Sequence, residues 1–66
     1  MEDEMSKELV KLKEYREAKL LTQSELAEKA GVAIGVVSKA ENGGKVSLGS
    51  IKKIAGALGV RADKLI

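Results

Sequence analysis

Thr22-Gln23-Ser24-Glu25-Leu26-Ala27-Glu28-Lys29-Ala30-Gly31-Val32-Ala33-Ile34-Gly35-Val36-Val37-Ser38-Lys39-Ala40-Glu41-Asn42 reads as two short helices with a tight turn between them. Thr22 to Glu25 is a capping box: the Thr hydroxyl can accept from the Glu25 amide while Glu25 reaches back to the Thr22 N–H. Leu26, Ala27 and Ala30 then fall on one inner face. Gly31 stands where a left-handed residue ends the first helix, and Val32 can fold back onto it. The next helix is expected from about Ile34 to Glu41, with Val37 and Ala40 inward. Its start is poorly signalled, because Ala33 occupies the place of a capping Ser, Thr or Asp, a loss of about 1 kcal/mol.

Two helices crossing closely at such a turn form a helix-turn-helix. The crossing asks for a small residue in the middle of the first helix, which Ala27 supplies. The turn asks for a backbone free to take positive φ, which Gly31 supplies. The second helix asks for apolar anchors beneath it, which Val32, Val37 and Ala40 supply. A generic small helical bundle remains the competing reading of the same pattern.

Outside this segment the spacing is again helical. Leu9, Leu12, Tyr15 or Arg16 and Leu20 recur every three or four residues, which predicts an amphipathic helix over about 6–20 with Ser6 as a candidate N-cap. Asn42-Gly43-Gly44 is a turn. Ser47 caps a further helix with Leu48, Ile51, Ile54, Ala55 and Leu58 as its stripe; Gly59 ends it, and Val60 leads into a last turn over 62–66. No stretch alternates with period two, so no strand is expected. Residues 1–8 read as an acidic lead for which disorder is open, and 9–66 as one domain whose motif spans about 23–42.

Composition narrows the function. The chain has 66 residues, 12 Lys or Arg and 10 Asp or Glu, for a net charge of +2; it lacks Cys, His, Trp, Phe and Pro, and Tyr15 is its one aromatic residue. That removes disulfides, thiol nucleophiles and imidazole chemistry. A chain this short buries only about 60 % of its unfolded surface, leaving little room for an enclosed substrate cavity. No enzyme activity, metal or cofactor is expected. No apolar run approaches the ~20 residues of a membrane span, and the acidic start is unlike a signal peptide, so a soluble cytoplasmic protein is expected. Residues 1–30 hold eight acids and six bases, whereas 31–66 hold two acids and six bases. The basic half could face a polyanion, although small soluble domains often carry such imbalance. Ser50-Ile51-Lys52-Lys53 fits a Ser-x-x-Lys pattern, and Asn42-Gly43-Gly44-Lys45 is glycine-rich before a Lys, but neither has the context its chemistry needs.

Leu12-Lys13-Glu14-Tyr15-Arg16, Leu21 to Val32, Glu41-Asn42-Gly43 and Ile54-Ala55-Gly56-Ala57-Leu58-Gly59-Val60 together resemble the Cro/C1-type (XRE-like) helix-turn-helix domain. The resemblance covers about residues 9–66. It implies an all-α, lambda-repressor-like fold of five helices, with the third in the major groove of DNA and the second crossing the backbone. Carried over by position, it implies Ala33, Ile34, Gly35, Ser38 and Lys39 facing bases. Thr22, Gln23, Asn42 and Lys45 would lie near phosphate, with Lys52 and Lys53 as weaker candidates. Arg16 and Glu41 would form a structural ion pair between the first and third helices. Val60, Leu65 and Ile66 are candidates for a dimer contact or, equally, for the monomer core.

The chain departs from the family at the leading edge of the third helix. Polar base readers are usual there, but Ala33, Ile34, Gly35 and Val36 can make no side-chain hydrogen bonds; Ser38 and Lys39 are the polar residues left. Leu20 replaces a frequent Gly. The expectation is a DNA-binding transcriptional regulator, a repressor acting as a homodimer. The alternative is a protein-interaction or antitoxin-type module on the same fold with weak or no specific DNA reading.

Overall fold

The computed structural model describes residues 6–66, with side chains from Glu8 onward. The elements in order are β1 (Ser6–Glu8), α1 (Leu12–Ala18), α2 (Gln23–Ala30), α3 (Ile34–Glu41), β2 (Lys45–Ser47), α4 (Leu48–Leu58) and a 3-10 turn (Ala62–Lys64). The expected residues Met1 to Met5 of the acidic lead lie outside the described part.

The capping box forms as read: Thr22 Oγ1 accepts from the Glu25 amide at 3.0 Å and the Thr22 amide donates to Glu25 Oε1 at 2.8 Å. Gly31 takes the left-handed conformation at φ 74°, and Val32 N–H closes the helix end on the Ala27 carbonyl at 3.0 Å. α3 begins at Ile34 with no side-chain cap, because Ala33 has nothing to offer. Ser47 accepts from the Ser50 amide and starts α4, which Gly59 ends.

Three expectations are corrected. The helix predicted over about 6–20 is limited to Leu12–Ala18, with Lys11 rather than Ser6 at its N-cap position, since Ser6–Glu8 is a strand. The expectation of no strands fails with it: Ser6, Lys7 and Glu8 pair antiparallel with Ser47, Val46 and Lys45. Three residues are too few to display alternation, and the pairing satisfies backbone groups of a segment whose side chains read equally well as helical. Among the described residues four α-helices form rather than five, because the last turn tightens into a 3-10 turn before the chain reaches Ile66.

The core collects Leu9 and Leu12 from the first segment, Leu26 and Ala27 from α2, and Val37 and Ala40 from α3. Val46 of β2, Ile51, Ile54, Ala55 and Leu58 of α4, and Leu65 complete it. α2 packs on both α3 and α4. Small Ala27 lies buried within that packing, in keeping with the need for a close crossing. Leu20 is the exception to the stripe read from the sequence: it is 89 % exposed.

Leu20 also has φ 58°, the only positive φ among the described residues other than glycine. Its amide bonds the Glu17 carbonyl at 2.9 Å and that of Leu21 bonds Arg16 at 3.2 Å, so the chain must turn left-handed here to end α1. A left-handed L-residue is disfavoured by about 1–2 kcal/mol, part of which glycine returns through its freer unfolded state. Leu20→Gly is therefore expected to stabilise the domain by about 0.5–1 kcal/mol, read as a raised urea midpoint. A lowered midpoint would show that the exposed leucine makes a contact worth keeping.

Candidate nucleic-acid interface

α3 is amphipathic by position. Val37 and Ala40 root it in the core, while Ala33, Ile34, Gly35 and Lys39 are exposed and Val36 and Ser38 half-buried. The leading edge is thus an open ridge with Ile34 52 % exposed. Between this ridge and the β2–α4 junction runs a groove of about 520 Å³, lined by Ala33, Gly35, Val36 and Lys39 on one side and Lys45, Val46, Ser47 and Ser50 on the other. Lys39 and Lys45 place two cations on it. Ser47 Oγ donates to Ser50 Oγ at 3.2 Å along its far wall.

The orientation of α3 is fixed from behind by one polar cluster. Arg16 Nε donates to Glu41 Oε2 at 2.5 Å and Nη2 to Oε1 at 3.1 Å, while Nη1 donates to the Leu21 carbonyl at 2.6 Å. A planar guanidinium suits this fork. Gln23 Nε2 donates to the remaining face of Glu41 Oε1 at 2.9 Å. The end of α1, the start of α2 and the end of α3 therefore meet on one carboxylate.

Burial pushes the Glu41 carboxyl up, but the bonds from Arg16 and Gln23, with the charges of Arg16 and Lys13, outweigh it and hold the group below the ordinary carboxylate range. The Arg16 guanidinium is raised by its hydrogen bond to Glu41. A lowered folded-state value means that Glu41 contributes stability in full above its unfolded value, about 4.3, and that the contribution is lost as pH falls through the folded value. Arg16 stays charged throughout. The urea midpoint is expected to fall as the solution is acidified below about pH 4. Glu41→Gln should flatten that part of the profile; an unchanged acid limb would mean that other carboxylates produce it.

The residues expected at the interface distribute unevenly. Ala33, Gly35, Lys39 and Lys45 share the groove, and Ile34 stands on the adjoining ridge. Asn42 is exposed and donates to Ser38 Oγ at 3.4 Å, linking the turn to α3. Thr22 is exposed with its oxygen engaged in the cap. Gln23 is half-buried, and one of its amide hydrogens is committed to Glu41 rather than directed outward. Lys52 and Lys53 are exposed on α4. Of the candidates for dimer or core, Leu65 belongs to the core at 0 % exposure, so it is withdrawn as a dimer contact; Val60 packs against the core in part and Ile66 is exposed. Sequence reasoning missed Val36, Val46, Ser47 and Ser50 as groove walls, because their spacing signals only packing and capping. No helix among the described residues is long and apolar enough to cross a membrane.

The helix-turn-helix family model matches residues 12–65. Among solved structures, the biofilm master regulator SinR in complex with DNA is 37 % identical, with 83 % of this chain and 90 % of that chain aligned at a TM-score of 0.77. The restriction-modification controller protein C.AhdI from Aeromonas hydrophila is 40 % identical over 88 % of this chain and 96 % of that chain, at 0.79. SinR in its complex with SinI is 34 % identical over 88 % of this chain at 0.79, and there the match spans 59 % of the other chain. No curated protein matches.

Proposed function

The chain belongs to the Cro/C1-type helix-turn-helix family, and from that premise we propose that it is a DNA-binding transcriptional regulator, a repressor that acts as a homodimer and sets α3 in the major groove. The observation that carries this reading is the open leading edge of α3 over a cation-lined groove, with the helix rooted by Val37 and Ala40 and locked behind by Arg16, Glu41 and Gln23. Support among solved structures comes from the similarity to SinR in complex with DNA.

The roles follow from what each side chain can offer. Lys39 reaches a guanine edge or a phosphate. Ala33 and Ile34 pack on thymine methyl groups, and Gly35, with no side chain, lets the helix backbone approach the groove floor. Lys45, Asn42 and Thr22 meet phosphate. Gln23 keeps one amide hydrogen on Glu41 and has a second to give to a phosphate, since a primary amide carries two. With few polar readers, specificity leans on phosphate register and duplex shape. Two copies on half-sites one helical turn apart, about 34 Å, multiply the few contacts of one domain; Val60 and Ile66 are the remaining candidates for their contact.

Selection of bound sequences from a random duplex pool tests this. Enrichment of a two-fold symmetric motif with half-sites about one turn apart supports it. Recovery of unenriched duplex leaves nonspecific adhesion, and no recovery rejects the reading. The exposure of Ile34 at the centre of α3's apolar start favours one second reading, a protein-docking module. A stoichiometric partner protected at residues 33–37, without a DNA footprint, would establish it instead.

A further inference from the structure

We propose that Gly44 is a positioning residue for Lys39: the space it leaves empty lets the lysine stem lie across the α3–β2 loop and deliver its ammonium into the groove. The inference rests on the DNA-binding reading above. Gly44 is not in the left-handed region; the glycines with positive φ are Gly31, Gly43 and Gly59. Conformational freedom therefore does not explain a glycine here, but space does. A Cβ at this position would lie 2.5 Å from Lys39 Cγ, 3.1 Å from Cε and 3.0 Å from the Lys39 carbonyl oxygen. At each of the other six glycines it would meet nothing within 4 Å. The loop is held in that approach by the Gly44 amide, which donates to the Lys39 carbonyl at 2.9 Å.

Lys39 is exposed and on the groove wall. Left alone, such a side chain samples many rotamers, and a ligand must select one of them at an entropic loss. Contact of its stem with the bare Gly44 backbone removes part of that freedom before DNA arrives. A methyl group at position 44 displaces the stem at Cγ and presses on the Lys39 carbonyl oxygen, so the lysine changes rotamer, the loop gives by a few tenths of an ångström, and the aim of the ammonium is lost. The group addressed is a hydrogen-bond acceptor of the duplex, either a guanine O6/N7 edge or a phosphate oxygen.

The test is a double-mutant cycle on duplex affinity with Gly44→Ala, Lys39→Ala and the pair. Lys39→Ala is expected to weaken binding about tenfold. Gly44→Ala should weaken it by about 3- to 10-fold and lower Tm by no more than about 8 °C, so that affinity is compared on folded protein. The pair should be no worse than Lys39→Ala alone. A salt slope smaller by about 1 in both single variants identifies phosphate; a relaxed preference at one G·C position identifies the base. In the free protein, nuclear Overhauser contacts between Gly44 Hα and the Lys39 methylenes are expected and should vanish in Gly44→Ala. Wild-type affinity in Gly44→Ala, a loss that adds in the pair, or absent contacts in the free protein would each overturn the inference while leaving DNA binding intact. Failure of the unsubstituted protein to bind any duplex would reject the functional reading and this inference together, and is visible before any substitution is made.

Discussion

Arg16→Ala is expected to leave folded and unfolded protein about equally populated at room temperature. The guanidinium is the central donor of the cluster, with two bonds to Glu41 and one to the Leu21 carbonyl. Its removal leaves a carboxylate whose side chain is 4 % exposed with Gln23 as its remaining donor. Breaking a buried pair from one side in this way costs about 3–5 kcal/mol, chiefly because the other charge stays buried without compensation. A single core in a domain below about 70 residues rarely supplies more than about 3–5 kcal/mol in all. Replacing both partners by apolar residues of similar volume, Arg16→Met with Glu41→Leu, should recover a cooperative transition, since the buried charge then disappears with its partner. Far-ultraviolet circular dichroism in urea reads both outcomes. A wild-type midpoint for Arg16→Ala would mean that the cluster orients α3 without stabilising it.

Leu65→Ala is expected to cost about 2–5 kcal/mol, and the loss should not depend on protein concentration. The leucine is fully buried in the monomer, and its carbonyl accepts from the Lys11 amide at 3.1 Å, so the C-terminal residues close the core beside the start of α1. A dimer contact would behave differently, because stability gained from association varies with protomer concentration. Urea transitions at widely separated concentrations distinguish the two: coincident curves place Leu65 in the monomer core, whereas a midpoint that rises with concentration in the native chain and not in the variant would return it to the dimer interface.

The helix-turn-helix was legible because its signals are local. Thr22 to Glu25, Gly31, Ser47 and Gly59 each specify a helix end through contacts within a few residues, and all four act as the sequence suggests. The Arg16–Glu41 pair spans 25 positions, which no periodicity reveals; the family resemblance supplied it. β1 was illegible because Ser6-Lys7-Glu8 has no strand character of its own and becomes a strand through Val46 and its neighbours, some forty residues away. Leu20 misled because its spacing continues the stripe of α1, while the chain has already turned left-handed there. At the interface, α3's exposed edge followed from burying Val37 and Ala40, but the bond from Gln23 to Glu41 and the contact of Gly44 with Lys39 depend on tertiary approach.

The central claim, that the face around α3 binds duplex DNA, is tested most directly by titrating a labelled duplex with the protein across a range of salt concentrations. Exposed Lys39, Lys45, Lys52 and Lys53 predict log affinity falling linearly with log salt, with a slope of about −2 to −4 for two to four phosphates neutralised. Absence of measurable binding at low salt, or binding indifferent to salt, would contradict it.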